Sequence, residues 1–219
     1  MSTQTLDYLD GIAHLPEGGM LILQHVSWED YEQILAELGD APNVRVNYDQ
    51  GRLEIMAPLS EHEAYAETIQ EMIRVVTREL RLKLEARGYA TLKLHPQAKG
   101  AEPDGCFYIH HAAAIIGKRR LDLSVDPPPD IVVEIDVTNE SLTKFPVYAA
   151  LSVPEIWRYD GQNVEIYHRA DQHYKVLPAS RAFPFLSAAV ISEFLEQSKT
   201  SGQDAALDGF LLWVRTHKP

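Results

Sequence analysis

Apolar residues in the N-terminal part of the chain predict a helix followed by a β-hairpin. Residues 26–38 carry apolar side chains at helical spacing, and Ser27 is suited to cap the first turn. Apolar and polar side chains alternate in residues 44–48, and the chain returns in residues 53–56 after a turn at residues 49–51. This segment therefore predicts a surface helix and a two-stranded hairpin.

The clearest predicted element is a long helix over residues 60–88. Ser60 and Glu63 have the spacing of a capping box, and Gly88 is a suitable residue to end the helix. One face of this helix is apolar, so we expect that face to pack on the core. Its apolar positions are Tyr65, Ile69, Met72, Ile73, Val76 and Leu80.

Three strands are predicted next. They span residues 89–95, 102–110 and 131–137. In the second strand, Asp104, Cys106 and Tyr108 share one face, because side chains two apart in a strand point the same way. Residues 118–129 form an exposed connector that ends in three prolines, which exclude a helix and fix the entry into the third strand.

The remaining pattern predicts a short helix, a second hairpin, an edge strand and two C-terminal helices. These elements span residues 141–151, 154–169, 172–177, 186–197 and 205–215. Pro146 is compatible with the short helix only in its first turn. Residues 198–204 are predicted to be a flexible polar linker. The order of elements indicates an α/β fold, a single domain with a mixed β-sheet flanked by helices.

Two acidic residues interrupt the third predicted strand. Glu134 and Asp136 lie within an apolar run, and the alternation of strand side chains places them on one face. Two carboxylates side by side repel one another, and their burial costs free energy. Asp136 can be explained as a cap for the following loop. Glu134 has no such explanation.

Asp104 supplies a third carboxylate close to these two. If the second and third strands pair, Asp104 and Glu134 converge at one place on the sheet. Converging carboxylates are tolerated when a divalent cation neutralises them, and hard oxygen ligands suit magnesium. A turn role after Pro103 is the alternative for Asp104 alone. The two strands together favour a metal site.

Three further side chains are candidates for chemistry near these carboxylates. Lys144, at the start of the predicted short helix, can reach back over the sheet edge and hold a water or a phosphate oxygen. A solvated lysine is the alternative. Tyr148 lies one helical turn later on the same side and can orient Lys144, although a core role is more common there. His62 lies on the apolar face of the long helix, where a core histidine is the usual interpretation.

The charge distribution bears on possible partners. The 219 residues carry a formal net charge of −12, which is unfavourable for nucleic-acid binding. Basic residues nevertheless cluster locally, in residues 118–120 and in the segment from the long helix onward. The second group contains Arg74, Arg78, Arg81, Lys83, Arg87, Lys93 and Lys99. These residues are either DNA contacts or ordinary solvated faces.

Composition and motifs exclude several classes of protein. The single cysteine, Cys106, excludes an intramolecular disulfide and suits a reducing cytoplasm. The apolar runs are too short for a membrane span, and the N-terminus lacks the pattern of a signal peptide. The sequence also lacks helical zinc spacing, a phosphate-binding glycine loop, a nucleophile elbow and a dinucleotide fingerprint.

Two segments resemble a known family. They are "EPDGCFYI" and "PPPDIVVEIDVTNESLTKFPVYAALSVPEIWRYDGQNVEIYH". Together they resemble the Uma family of restriction-endonuclease-like proteins, within the PD-(D/E)XK nuclease superfamily. The likeness runs from about residue 26 to the C-terminus. It implies a restriction-endonuclease-like domain over residues 26–219, including the C-terminal helices, and an N-terminal extension over residues 1–25.

The resemblance implies a role for each candidate residue. Asp104 and Glu134 would bind the catalytic magnesium, with manganese as a substitute. Asp136 occupies the position where the simple motif has its lysine, so it would be an additional metal ligand or an acceptor that orients Lys144. Lys144, four residues before Tyr148, matches the displaced lysine of the family. His62 matches the family's histidine at the start of its long helix.

These observations predict a magnesium-dependent endonuclease that hydrolyses DNA, located in the cytoplasm. A homodimer is expected by analogy with nucleases that cut both strands. One alternative is a catalytically inactive nuclease-fold module that binds nucleic acid or protein, which the net charge favours. A glycosidase using Glu134 and Asp136 is disfavoured, because carboxylates adjacent on one strand face cannot flank a bond from opposite sides.

Overall fold

The structure is a computed structural model that describes residues 11–39, 44–137 and 141–219, with the backbone alone for residues 141 and 142. The described strands are β1 (Met20–Leu23), β2 (Arg45–Asp49), β3 (Arg52–Met56), β4 (Glu85–Ala86), β5 (Leu92–Leu94), β6 (Lys99–Ala101), β7 (Gly105–Tyr108), β8 (Ile131–Ile135), β9 (Glu155–Tyr159), β10 (Val164–Ala170) and β11 (His173–Leu177). The described helices are α1 (Trp28–Leu38), α2 (Ser60–Glu79), α3 (Ala112–Ile115), α4 (Phe145–Ala150), α5 (Ala188–Ser201) and α6 (Gln203–His217).

The strands form two sheets rather than one. The first has the order β1-β3-β2-β6-β5, and its pairs are antiparallel. The second has the order β11-β10-β9-β8-β7-β4 and is mixed, because β8 and β9 run parallel while its other pairs are antiparallel. The predicted α/β fold with a mixed sheet flanked by helices is confirmed. Strand β1 comes from the segment predicted as an N-terminal extension and lies at the edge of the first sheet.

The second sheet is covered on both faces, which decides where polar side chains can lie. One face carries Phe107 and Val133 and packs against the apolar side of α2 and against α5 and α6. The other face carries Cys106 and Val132 and packs against α4. Because side chains alternate along β8, Glu134 shares the α4 face with Val132. The candidate chemistry therefore lies between the second sheet and α4.

Several predicted elements agree closely with the structure. Ser27 caps α1 by accepting the backbone N–H of Asp30 at 3.0 Å. The two predicted hairpins form as β2–β3 and β9–β10, and β11 is the predicted edge strand. Each of these elements is marked by local sequence signals, either a capping side chain or a turn between alternating strands.

The long helix ends nine residues before the predicted stop at Gly88, and its capping box does not form. Helix α2 ends at Glu79, because Arg81 adopts a left-handed conformation (φ 56°) and the N–H of Leu82 donates to the carbonyl of Thr77. This closure is a Schellman motif built without glycine. At the other end, Leu59 is the cap residue and has no side-chain capping bond, so the predicted Ser60–Glu63 box is wrong.

The predicted C-terminal linker is also wrong. Helix α5 continues through residues 198–201, and α6 begins at Gln203, so Gly202 alone separates the two helices. Gly202 has a φ of 88°, a conformation that glycine adopts without steric cost. Polar residues on an exposed helix surface account for the composition that suggested a linker.

Within the described ranges, no helix is both long enough and apolar enough to cross a lipid bilayer.

Replacing Gly100 with alanine is expected to destabilise the first sheet. A Cβ atom at Gly100 would overlap the hydroxyl of Tyr31, which is fully buried and stacked on Tyr48. We expect the free energy of unfolding in urea to fall by about 1–3 kcal/mol. In the Tyr31→Phe background, which lacks that hydroxyl, the same change should cost less. Equal costs in the two backgrounds would contradict this account.

Candidate active site

Glu134 lies at the centre of a buried polar cluster. It is the fourth of the five residues of β8 and is 1% exposed. The Nζ atom of Lys144 lies 2.7 Å from its Oε2 atom, and the hydroxyl of Tyr148 donates to its Oε1 atom. Both oxygens of this carboxylate therefore have a partner from the segment that follows β8.

Asp104 lies directly beside Glu134 on the neighbouring strand. The N–H of Asp104 donates to the carbonyl of Val133 at 3.0 Å, and its Oδ2 atom accepts the N–H of Ile135 at 2.8 Å. Gly105 is paired with Val133 in the antiparallel pairing of β7 and β8. The preceding residue, Asp104, therefore lies opposite Glu134. The strand pairing thus brings together the two carboxylates that the sequence pattern placed on adjacent strands.

Lys144 reaches Glu134 from a turn rather than from the strand itself. A single 3-10 turn, Ser141–Lys144, leads into α4, and Pro146 lies in the first turn of that helix. One helical turn separates Lys144 from Tyr148, so both side chains point toward β8. Lys144 is 8% exposed and Tyr148 is fully buried. The ammonium group beside Glu134 therefore comes from the turn that follows β8, and residue 136 of the chain is an aspartate.

Burial and neighbouring charges perturb this cluster strongly. Burial raises the pKa of Glu134 to about 7, and Lys144 offsets only part of that effect. Burial lowers the pKa of Lys144, but the charges of Glu134, Asp104 and Asp136 outweigh it, so that pKa is raised above its ordinary value. Burial, followed by the charge of Glu134, raises the pKa of Tyr148. Lys144 is therefore an ammonium group and Tyr148 a neutral phenol at neutral pH.

Asp136 lies next to the cluster and pairs with an arginine. Its Oδ2 atom accepts from Nε of Arg158, which is on the adjacent parallel strand β9. Arg158 also donates to Glu165 on β10 at 3.1 Å. The negative charge of Asp136 is thus matched within the sheet by the guanidinium of Arg158.

His62 is buried in the first turn of α2, with 1% of its surface exposed. Its neighbour Glu63 forms an ion pair with Arg45, and Nε of Arg45 lies 3.8 Å from Oδ1 of Asp104. The beginning of α2 is therefore connected to the carboxylate cluster through the side chain of Arg45.

Arg45 is the residue near this site that the sequence analysis missed. It lies in β2 of the first sheet and is 1% exposed, although strand alternation suggests a solvent-facing position. Its guanidinium contacts Asp104 and Glu63 and lies over the ring of Tyr89, 4.2 Å from the ring centroid. The signal available in the sequence was a single arginine between two apolar residues, Val44 and Val46.

The donor set can be tested against a magnesium ion. Magnesium is commonly held by one or two carboxylates, with water and substrate phosphates completing its coordination. Asp104 and Glu134 provide two such groups side by side, so the residues fit this ion. Among the described residues, no group of three or more histidine, cysteine, aspartate or glutamate side chains is arranged to hold a metal.

The carboxylates are closed off from bulk solvent. Lys144 borders a cavity of about 10 Å³, roughly the size needed for one water molecule, between α4 and the β2–β3 hairpin. Charged side chains of the hairpin, including Asp49 and Arg52, line the same cavity. This cavity provides space for a water molecule beside Lys144.

Many of the basic residues predicted to contact DNA are already paired with acids. Lys93 pairs with Glu32, Lys99 with Asp49, and Arg74 with Glu71. In the exposed connector, Lys118 pairs with Asp126. These pairs reduce the positive potential that the sequence alone suggests.

Comparison with known proteins identifies the family. A sequence model described as "Uma2: Putative restriction endonuclease" matches residues 28–197, most of the chain. The chain belongs to this family. The family predicted from the sequence segments is therefore confirmed, and the matched range includes β7, β8 and α4, which position the carboxylate cluster.

One solved structure supports the fold of this Uma2 chain. It is described as "a putative nuclease belonging to DUF820" from Anabaena variabilis. The alignment has a TM-score of 0.53 and 17% sequence identity, and it covers 78% of the Uma2 chain and 99% of the other. At this identity the likeness shows a shared fold alone. No curated protein matches the Uma2 chain.

Proposed function

We propose that this Uma2 protein is a metal-dependent endonuclease that hydrolyses phosphodiester bonds of DNA. The observation that carries the proposal is the convergence of Lys144 and Tyr148 on Glu134, with Asp104 beside it on the next strand. Strongly perturbed titratable groups that converge on one spot are typical of catalytic sites. Membership of a family described by nuclease activity supports the same conclusion.

Asp104 and Glu134 would hold the magnesium ion, with manganese as a substitute. When bound, such an ion lowers the pKa of a coordinated water and neutralises charge that develops on the phosphoryl oxygens. Asp136 is the proposed additional ligand or acceptor for Lys144. In either role, the Asp136 carboxylate would accept a further partner in addition to Arg158 or would lose its hydrogen bond from Arg158.

Lys144 acts in this proposal as a donor and not as a base. Its raised pKa keeps it protonated, so it can donate hydrogen bonds to an attacking water or to a phosphoryl oxygen but cannot accept a proton. Tyr148 holds Glu134 in place through its hydroxyl. The catalytic role of His62 remains a prediction, and it rests on the family resemblance.

DNA as substrate, a homodimer and a cytoplasmic location are part of the proposal. The unpaired portion of the basic segment, on α2 and the connector after α3, would contact phosphates, and binding should weaken steeply with salt. The alternative of an inactive binding module is favoured by one specific observation, the ion pairing of Lys93, Lys99 and Lys118 with acidic residues.

Incubation with supercoiled plasmid tests the proposed activity. We expect nicking in magnesium or manganese, no nicking in EDTA, and no nicking by Glu134→Gln, because the amide removes a metal-binding charge. Glu196→Gln, an equivalent change on the exposed face of α5, is the matched control and should cut at the unaltered rate. Cleavage by Glu134→Gln would indicate a contaminant. Absence of cleavage alongside measurable metal binding would favour the inactive module.

A further inference from the structure

A larger cavity lies near the carboxylate cluster and has no part in the proposed mechanism. Its volume is about 430 Å³, within the range typical of small-ligand sites. It lies between the end of α1, strand β2 and the segment after β4. The apolar and aromatic part of its lining is Leu35, Leu38, Val44, Val46, Tyr89 and Ala90, and its polar side chains are Arg87, Thr91 and Glu102. A ligand with an aromatic body and polar groups at its edge would fit these walls.

Glu102 adds a buried carboxylate to this cavity. It lines the cavity and is 8% exposed. Its Oε2 atom accepts the N–H of Val46 at 2.8 Å, and its Oε1 atom accepts from the hydroxyl of Thr91. A carboxylate has about four acceptor positions, so acceptor capacity remains on both oxygens. The cavity is therefore suited to a ligand that presents N–H donors.

Tyr89 connects the cavity to the carboxylate cluster. Its ring is 38% exposed, and the guanidinium of Arg45 lies over it, 4.2 Å from the centroid. The same guanidinium lies 3.8 Å from Oδ1 of Asp104. The guanidinium of Arg45 therefore lies between the ring of Tyr89, which lines the cavity, and Asp104, a proposed metal ligand. A nucleotide spans such a separation, with its base at one end and its phosphate at the other.

We infer that this cavity binds the nucleobase of a nucleotide next to the scissile bond, and that Glu102 selects guanine; the inference rests on the proposed nuclease function. Guanine presents two neighbouring donors, its N1–H and its exocyclic amine, which match the two oxygens of one carboxylate. Stacking on Tyr89 would add affinity that does not depend on sequence. A base can enter such a cavity only when it is unstacked, so the substrate is single-stranded DNA or an extruded nucleotide.

Binding of mononucleotides in the absence of metal tests the inference directly. Isothermal titration, with the 2′-deoxy form of every nucleotide, should show the tightest binding for guanosine monophosphate. Inosine monophosphate, which lacks the exocyclic amine, should bind about tenfold more weakly, because one hydrogen bond to a charged group is lost. Adenosine, cytidine and thymidine monophosphates should also bind more weakly than the guanine nucleotide. This comparison needs no mutation, so it does not depend on the folding of a variant.

Substitutions of Tyr89 and Glu102, which line the cavity, test whether the nucleotide binds there. Tyr89→Ala should weaken guanosine monophosphate about tenfold through lost stacking, whereas Tyr89→Phe keeps the ring and should bind normally. Glu102→Gln should remove the preference for guanine over inosine. Glu37→Gln, an exposed glutamate on α1, is the matched control and should bind as the unaltered protein does.

The outcomes separate this inference from the nuclease proposal. Equal binding of guanosine and inosine monophosphates, or full affinity in Tyr89→Ala, would overturn the inference. Metal-dependent cleavage without mononucleotide binding would overturn it and leave the nuclease proposal standing. Guanine-selective binding in a protein that cuts no DNA would support the ligand assigned to the cavity and contradict the nuclease proposal.

Discussion

Replacing Lys144 with methionine is expected to lower the rate of metal-dependent cleavage by at least about 100-fold. Methionine keeps a long unbranched side chain but removes the ammonium group that lies 2.7 Å from Glu134. The lost group is the donor proposed to hold the attacking water or a phosphoryl oxygen. Initial rates of plasmid nicking, measured at saturating manganese, give the effect.

Folding must be separated from chemistry in this variant, because Lys144 and Glu134 form a buried ion pair. Removing one partner of such a pair can cost about 3–5 kcal/mol. The loss of stability should be smaller here, because the pKa of Glu134 is about 7. Without Lys144 beside it, Glu134 can take up a proton and become neutral. Thermal melts monitored by circular dichroism would record the remaining loss of stability.

Tyr148→Phe provides a graded comparison. It removes one hydrogen bond to Glu134 and keeps the buried ring, so we expect a loss of only about tenfold in rate. Full activity in Lys144→Met, in a preparation that EDTA inhibits, would contradict the assignment of Lys144. In that case Asp136, at the position of the usual lysine, and its partner Arg158 would become the residues to examine.

The carboxylate pair was predictable because it depends on short-range rules. Asp104 and Glu134 each interrupt an apolar strand, and the two-residue period of a strand assigns each a face. The pairing of β7 with β8 then brings the two side chains together. The reach of Lys144 was also predictable in outline, since a turn followed by a helix places it one turn from Tyr148.

Arg45 could not be predicted, because its environment is made by distant parts of the chain. It is buried only because the first sheet packs beside the second, where Asp104, Glu63 and Tyr89 come from three separate elements. The end of α2 was missed for a similar reason. Arg81 takes the left-handed conformation that glycine usually adopts, and no local signal marks it.

Each of the three carboxylates of the proposed site has a basic partner from another element. Asp104 lies near Arg45, Glu134 near Lys144, and Asp136 near Arg158. These pairings explain how three carboxylates can lie close together in a buried position, since a buried charge is tolerated when it is paired. A metal ion entering the site would therefore compete with ammonium and guanidinium groups as well as with protons.

Metal affinity is consequently expected to rise steeply with pH. A metal needs the ionised form of Glu134, whose pKa is raised to about 7 by burial, so below that pH the ion must displace a proton. The apparent dissociation constant for manganese should increase about tenfold for each pH unit below 7, or about 100-fold between pH 7 and pH 5, and should level off above pH 8. Titration calorimetry in buffers of different ionisation enthalpy measures both the affinity and the proton released.

Two variants decide whether Glu134 causes this dependence. In Glu134→Gln no proton can be displaced at this position, so both the steep pH dependence and the proton release near pH 7 should disappear, together with much of the affinity. Glu196→Gln, on the exposed face of α5, should retain both. Affinity that stays constant from pH 5.5 to pH 8 in the unaltered protein would mean that the metal does not bind through Glu134. The proposed mechanism would then lose its central ligand, because only Asp104 and the arginine-paired Asp136 would remain to hold the metal.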